Sequence, residues 1–258
     1  MLCIIQHNFK PQILYFSPAY FFILHTNFQH MKKELLFTVL FFLSVLSTAA
    51  QQSDVGNWFI YFGNQPLNKK WNLQNEVQYR NYNVAGDLQQ LLLRIGIGYN
   101  LTENNNNILL GYGYVHSQNY LPNKTDKISS NEHRVFQQFI NRQNIGRVFL
   151  QHRYRIEERF LKDDFQMRFR YFLGLNIPFG KKTMAPKTIY ASVYNEIFIN
   201  AQNSYFDRNR LYGALGYVFS KYIKAEVGFM AQTLQARNRN QFQIVCFNNL
   251  PFKNARKN

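Results

Sequence analysis

The sequence predicts an all-β protein, an antiparallel transmembrane β-barrel of 10 or 12 strands. Three observations point there. Apolar and polar residues alternate with period 2 along most of the chain after residue 51, which gives each extended segment one greasy and one wet face. Most segments run 11 to 15 residues, whereas globular strands cluster around 5–6 and a tilted bilayer-crossing strand needs roughly 9–11. Arg and Glu also occupy the wet faces in mid-strand, where a closed barrel offers them a lumen.

The segments follow in order. The first spans 57–65, and the stretch NQPLNKK turns the chain into 70–82. There Trp71, Leu73, Val77 and Tyr79 oppose Asn72, Gln74, Glu76, Gln78 and Arg80. Next comes 88–101, with Leu91, Leu93, Ile95, Ile97, Tyr99 and Leu101 on one face and Leu92, Arg94, Gly96, Gly98 and Asn100 on the other. TENNNN leads to 107–119, and the polar link YLPNKTDKIS to 130–143. A tight turn at Asn144-Ile145-Gly146 opens 147–161, which sets Arg147, Gln151, Arg153, Arg155, Glu157 and Arg159 on one face. In 165–178 the greasy residues are Phe165, Met167, Phe169, Tyr171, Leu173, Leu175 and Ile177, opposite Gln166, Arg168, Arg170, Phe172, Gly174 and Asn176. IPFGKKTMAPK separates it from 188–200, a polar link at 201–206 from 207–219, and Ser220-Lys221 from 222–234; 240–250 ends the series. Trp58, Trp71, Tyr99, Tyr171, Tyr217 and Tyr222 sit near strand ends, where aromatic girdles belong.

That makes eleven segments, and single-chain bacterial barrels use an even number with both termini periplasmic. Parity therefore predicts 10 strands, if 57–65 is not a full crossing, or 12, if one segment is split.

Ahead of these segments, MKKELLFTVLFFLSVLSTAAQ (31–51) reads as a signal peptide. Lys32 and Lys33 form its basic start, Leu35 to Leu46 its apolar core, and Ser47 to Ala50 its cleavage site. The apolar run is about a dozen residues, short of the roughly 20 that a spanning helix needs. Residues 1–30 then read as an upstream mis-start extension and 52–258 as the mature barrel. The whole chain carries +16. Without Lys10, Lys32, Lys33 and Glu34 the mature part keeps 27 basic and 13 acidic side chains, or +14. Export argues against nucleic acid as the partner, and the surplus can face lipid headgroups or a cavity. Charged residues at 17% and aromatics at 17% exclude a disordered chain, and two cysteines exclude a disulfide scaffold or a cysteine-rich zinc site.

The signal peptide, Gly56-Asn57-Trp58, the Lys69-Lys70-Trp71 turn and the run Arg153-Tyr154-Arg155-Ile156-Glu157-Glu158-Arg159-Phe160 together resemble the domain-of-unknown-function 2490 family. This resemblance covers about 54–252 and implies an outer-membrane β-barrel of the Bacteroidetes type, with no assigned activity. Such barrels finish on an aromatic residue read by the insertion machinery. Phe252 fits, but a tail, Lys253 to Asn258, follows it.

With the polar phase inward, a luminal charge network is expected from Glu132, Arg134, Arg153, Arg155, Glu157, Arg159, Arg168, Arg170, Glu196, Arg210 and Glu226, since neighbouring strands hold side chains about 4.5–5.5 Å apart. Paired charges would fill much of a narrow lumen; the alternative is a basic constriction favouring anions, a narrow anion-preferring channel or ligand-binding pore. A lipid-modifying enzyme is the third reading. Hydrolysis would need a Ser beside a His base. His116 adjoins Ser117, yet adjacent strand residues face opposite ways; His133 adjoins Glu132, and His152 falls on an apolar phase. Glu157 and Glu158 likewise diverge, Asp163-Asp164 lies in a turn, and Gly96, Gly98, Gly111 and Gly113 sit inside strand patterns rather than a phosphate loop. Cys246 reads as a small apolar residue of the last strand. The expected protein is thus non-enzymatic and cofactor-free. Its partners are outer-membrane lipid and, during assembly, the barrel-insertion machinery.

Overall fold

Alternation along each segment leaves one side of a strand apolar and the other polar, so the segments can pair edge to edge without burying either side in a second layer. In the computed structural model, residues 55–83, 86–102, 105–121, 125–202, 204–236 and 238–252 are described. The extension at 1–30, the signal peptide at 31–51 and the tail after Phe252 lie outside them. Eleven strands form: β1 (Gly56–Pro66), β2 (Trp71–Asn81), β3 (Leu88–Asn100), β4 (Asn106–Tyr120), β5 (Lys127–Ile145), β6 (Val148–Phe160), β7 (Phe165–Pro178), β8 (Thr188–Asn200), β9 (Phe206–Val218), β10 (Ile223–Leu234) and β11 (Asn238–Asn248). No helix occurs among the described residues.

Each strand pairs antiparallel with its successor, and β1 pairs with β11 to close the barrel. The expected 10 or 12 strands are corrected to 11: β1 is a full strand and no segment is split. An odd count leaves the first and last strands pointing the same way, so the seam is a parallel ladder, from Gly56↔Gln241 to Gly63↔Asn248. The parity argument assumed an antiparallel seam. Parallel bonds are slanted but complete, and nothing in backbone chemistry forbids one such ladder in the ring.

One end of the barrel, here the near end, carries the β1–β2, β3–β4, β5–β6, β7–β8 and β9–β10 connections. The far end carries the other five. β1 starts at the far end and β11 finishes at the near end. Gly146 takes a left-handed φ of 59° in the two-residue β5–β6 turn. This turn also takes Arg147 out of the luminal face where the sequence placed it, and its guanidinium donates to the Pro178 carbonyl instead.

Burial is inverted relative to a soluble sheet. Ile95 and Ile97 on the outer wall are 52% and 53% exposed, while Arg94 between their neighbours is 8% exposed. Of the expected girdle residues, Trp71 and Tyr99 do meet edge to face on the outside, centroids 5.0 Å apart. Trp58 does not belong there: it points inward and is buried. With Ile60, Tyr212, Met230 and Val245 it forms an apolar cluster inside the barrel, packed further by Phe62, Tyr194 and Phe247. Tyr222 lies in the β9–β10 turn rather than on a strand.

At the far rim β4 and β5 outlast their neighbours as a hairpin reaching Tyr120↔Lys127. Lys127 donates to the Asp87 carboxylate and to the Leu88 carbonyl, the latter at 2.9 Å. Tyr120 Oη donates to Asp87 Oδ2 at 2.8 Å. The hairpin is thereby clamped to the β2–β3 connection.

Candidate functional site

Strand register brings opposite charges together across the lumen. Glu157 on β6 stands opposite Arg168 on β7, Glu196 on β8 opposite Arg210 on β9, and Glu76 on β2 opposite Arg94 on β3. Glu157, with no exposed surface, is the hub. Its oxygens lie 2.6 Å from Arg168, 2.5 Å from Arg170, 3.4 Å from Arg155 and 3.5 Å from Arg94. Arg94 comes from β3, three strands round the barrel from Glu157, where it also holds Glu76 at 2.7 Å. Arg170 passes the network on to Glu196 at 2.7 Å, which takes Arg153 at 2.8 Å and Arg210 at 3.9 Å. Buried ion pairs repay their desolvation only with close geometry and further hydrogen bonds, and these have both: Arg155 Nε also donates to Gln138 at 2.9 Å.

Aromatic rings carry the guanidiniums. Arg155 lies 4.4 Å over Phe136, Arg153 4.5 Å over Phe172, and Arg170 and Arg210 lie 4.5 and 4.7 Å over Phe198. Phe136 has room because its cross-strand neighbour is Gly111; a Cβ there would sit 2.3 Å from the ring. A glycine on β4 thus places an arginine on β6.

Of the eleven charges expected to meet, ten belong to two groups. Arg153, Arg155, Glu157, Arg168, Arg170, Glu196 and Arg210 form the central partition. Glu132, with Arg134 at 2.6 Å and Arg159 at 2.5 Å, forms a second group nearer the far rim and leaves only Glu226 of the eleven. Glu226 stands apart, accepting from Tyr190 at 2.8 Å and Tyr212 at 3.4 Å, with Lys224 at 3.9 Å.

Sequence reasoning passed over Glu76, Arg94, Asp207 and Arg208 as members. Glu76 and Arg94 were visible on polar faces, but their meeting depends on the β2–β3 register. Asp207 had no signal at all. It is the extra residue where the β8–β9 register shifts, between the pairs Ile199↔Phe206 and Phe198↔Arg208. Such a bulge re-aims a side chain, and Asp207 reaches Arg168 at 2.9 Å and Arg208 at 3.0 Å. Gln89 is the extra residue of the matching irregularity between β2 and β3.

The partition divides the lumen. A cavity of about 350 Å³ lies on the far side and one of about 550 Å³ on the near side, and Trp58, Arg94, Arg170 and Arg210 border both. Among the described residues, no group of three or more His, Cys, Asp or Glu is placed to hold a metal. His116 bonds Asn131 at 2.8 Å, His133 bonds Tyr112 at 2.5 Å and His152 bonds Tyr171 at 3.0 Å. Ser117 instead borders the far cavity. Cys246 is an exposed free thiol on β11.

No curated protein and no solved structure matches the chain. One family model does, that of the protein of unknown function DUF2490, over residues 55–243. The match runs from the start of β1 into β11 and so takes in the partition and every strand that builds it: the chain belongs to the DUF2490 family.

Proposed function

We propose that this is a non-enzymatic outer-membrane barrel protein, exported through its signal peptide, whose lumen is closed to through-flow by the Arg–Glu partition. One observation carries the reading. The barrel turns its apolar side chains outward and keeps a carboxylate, Glu157, wholly buried under four arginines drawn from three strands. An outward apolar wall costs free energy in water and suits hydrocarbon. A lumen crossed by paired charges gives an ion no continuous wet path.

Membrane extraction and planar-bilayer recording test both halves. The protein expressed with its leader should sediment with the envelope, require detergent for release, and add no conductance steps to a bilayer. A chain that stays in solution without detergent would remove the membrane. Reproducible anion-selective steps would remove the closed lumen and favour a narrow anion channel, the reading that the arginine surplus otherwise supports.

A further inference from the structure

The far cavity has a chemistry of its own. Among the described residues, nine arginines border it, and Glu132 is the one carboxylate that does. Leave Arg239 aside. Seven of the other eight touch five carboxylates, namely Glu76, Glu132, Glu157, Glu196 and Asp207, and these also hold Arg153 and Arg155. Nine guanidiniums therefore share five carboxylates, and Arg80 pairs with none of those five. Arg80 makes its hydrogen bonds to the amide oxygens of Gln78, at 2.9 Å from Nε, and Gln90, at 2.5 Å, while its guanidinium lies 3.9 Å over Trp58. Three bordering side chains, Trp58, Gln89 and Arg94, also keep a buried polar atom without a hydrogen-bond partner among the described residues. Gln89 is there because of the β2–β3 irregularity.

We infer that this cavity is a dead-end receptor for a compact, water-soluble polyanion, a solute with at least two phosphate or carboxylate groups, entering from the far end. Guanidinium is planar, permanently charged and forked to match such oxyanions. A concave basic wall in a low-dielectric shell also focuses the field on an incoming anion. The volume suits a small metabolite rather than a macromolecule. A lipid headgroup is the poorer fit, because the guanidiniums face the lumen and the outer wall is apolar. The partition at the cavity's floor makes it a pocket rather than a passage. In that one respect the inference rests on the proposed closed lumen, while binding itself does not.

Trp58 reports occupancy. The chain has two tryptophans, and the other, Trp71, is on the outer wall at the near end, so Trp71→Phe isolates the signal. The full-length protein in non-ionic detergent at low salt is titrated with sodium pyrophosphate, with citrate as a second polyanion and inositol as an uncharged control. The expected result is a saturable change in Trp58 emission with pyrophosphate or citrate and none with inositol. Raising salt from about 0.05 to about 0.5 M should weaken it, because the Debye length shrinks severalfold. Arg80→Gln and Arg208→Gln should each weaken binding about tenfold, the scale of one lost charge-assisted contact. Glu132→Gln should strengthen it. Should Arg80→Gln fail to fold, Arg208→Gln, at the more open rim, carries the comparison. No saturable response, an equal response to inositol, or folded variants that bind like the parent would overturn the inference. A barrel that conducts yet still binds pyrophosphate would sink the closed lumen and leave this site standing.

Discussion

At the scale of single residues, Glu157 has the most to lose. Removing one partner of a buried ion pair leaves uncompensated charge, at a typical cost of about 3–5 kcal/mol, and here four arginines share one carboxylate. Glu157→Gln should lower the unfolding free energy read from urea titration of the detergent-solubilised barrel by that order, while Glu158→Gln, on the outer phase, should leave it nearly unchanged. Gly111→Ala tests the glycine under Phe136: its methyl group must displace the ring and with it Arg155, a loss of about 1–3 kcal/mol by overpacking. Asp87 responds to pH. Partial burial pushes its carboxyl up, but the hydrogen bonds from Lys127 and Tyr120 and the Lys127 charge outweigh this, so the net shift is downward. A depressed acid stabilises the fold fully above its ordinary range and ceases to as pH falls through its lowered value. Hydrogen exchange across Tyr120↔Lys127 should therefore stay slow at neutral and mildly acidic pH and quicken below the usual carboxylate range. Asp87→Asn should already be fast at neutral pH. At this scale the sequence was least legible. Which charges face the lumen could be read from phase, but Trp58 could not be turned inward by pattern, because both faces of β1 are greasy and only the apolar sector formed by Tyr212, Met230 and Val245 decides between them.

At the scale of elements, period-2 alternation placed every strand to within a few residues, since a half-slip would put arginines such as Arg94 and Arg168 on the greasy wall. What alternation cannot give is which residue faces which across a pair. Bulges escape it altogether, so Asp207 and Gln89 went unread. The seam is the element most open to direct test. Cys246 on β11 stands beside Tyr61 on β1, both on the outer face. Tyr61→Cys should form a disulfide with Cys246 under mild oxidation, because paired neighbours fall inside the bridging range of about 4.4–6.8 Å between Cα atoms. Ile60→Cys, which points inward, should not. Failure of the Tyr61→Cys bridge in the folded protein would count against parallel closure.

At the scale of the whole molecule, what matters is where the two kinds of surface go. In a soluble sandwich the side chains of Leu93, Ile95 and Ile97 would meet a second sheet; here, among the described residues, they face no second sheet and stay 40%, 52% and 53% exposed. Ile95→Arg distinguishes the media. At a bilayer midplane it should cost about 2–4 kcal/mol, visible as poorer folding into lipid vesicles, whereas on a water-facing wall it would be close to neutral. Closure was legible from segment length and patterning, but the number of strands was not. Eleven segments stood in the sequence, and a parity rule about termini was allowed to outweigh them.

An odd number of crossings gives the polypeptide no common landing for its head and its tail. If the barrel spans the outer membrane as proposed, epitopes fused before Val55 and after Phe252 would surface on opposite sides of the lipid sheet. A protease shaving intact cells should strip one label and spare the other.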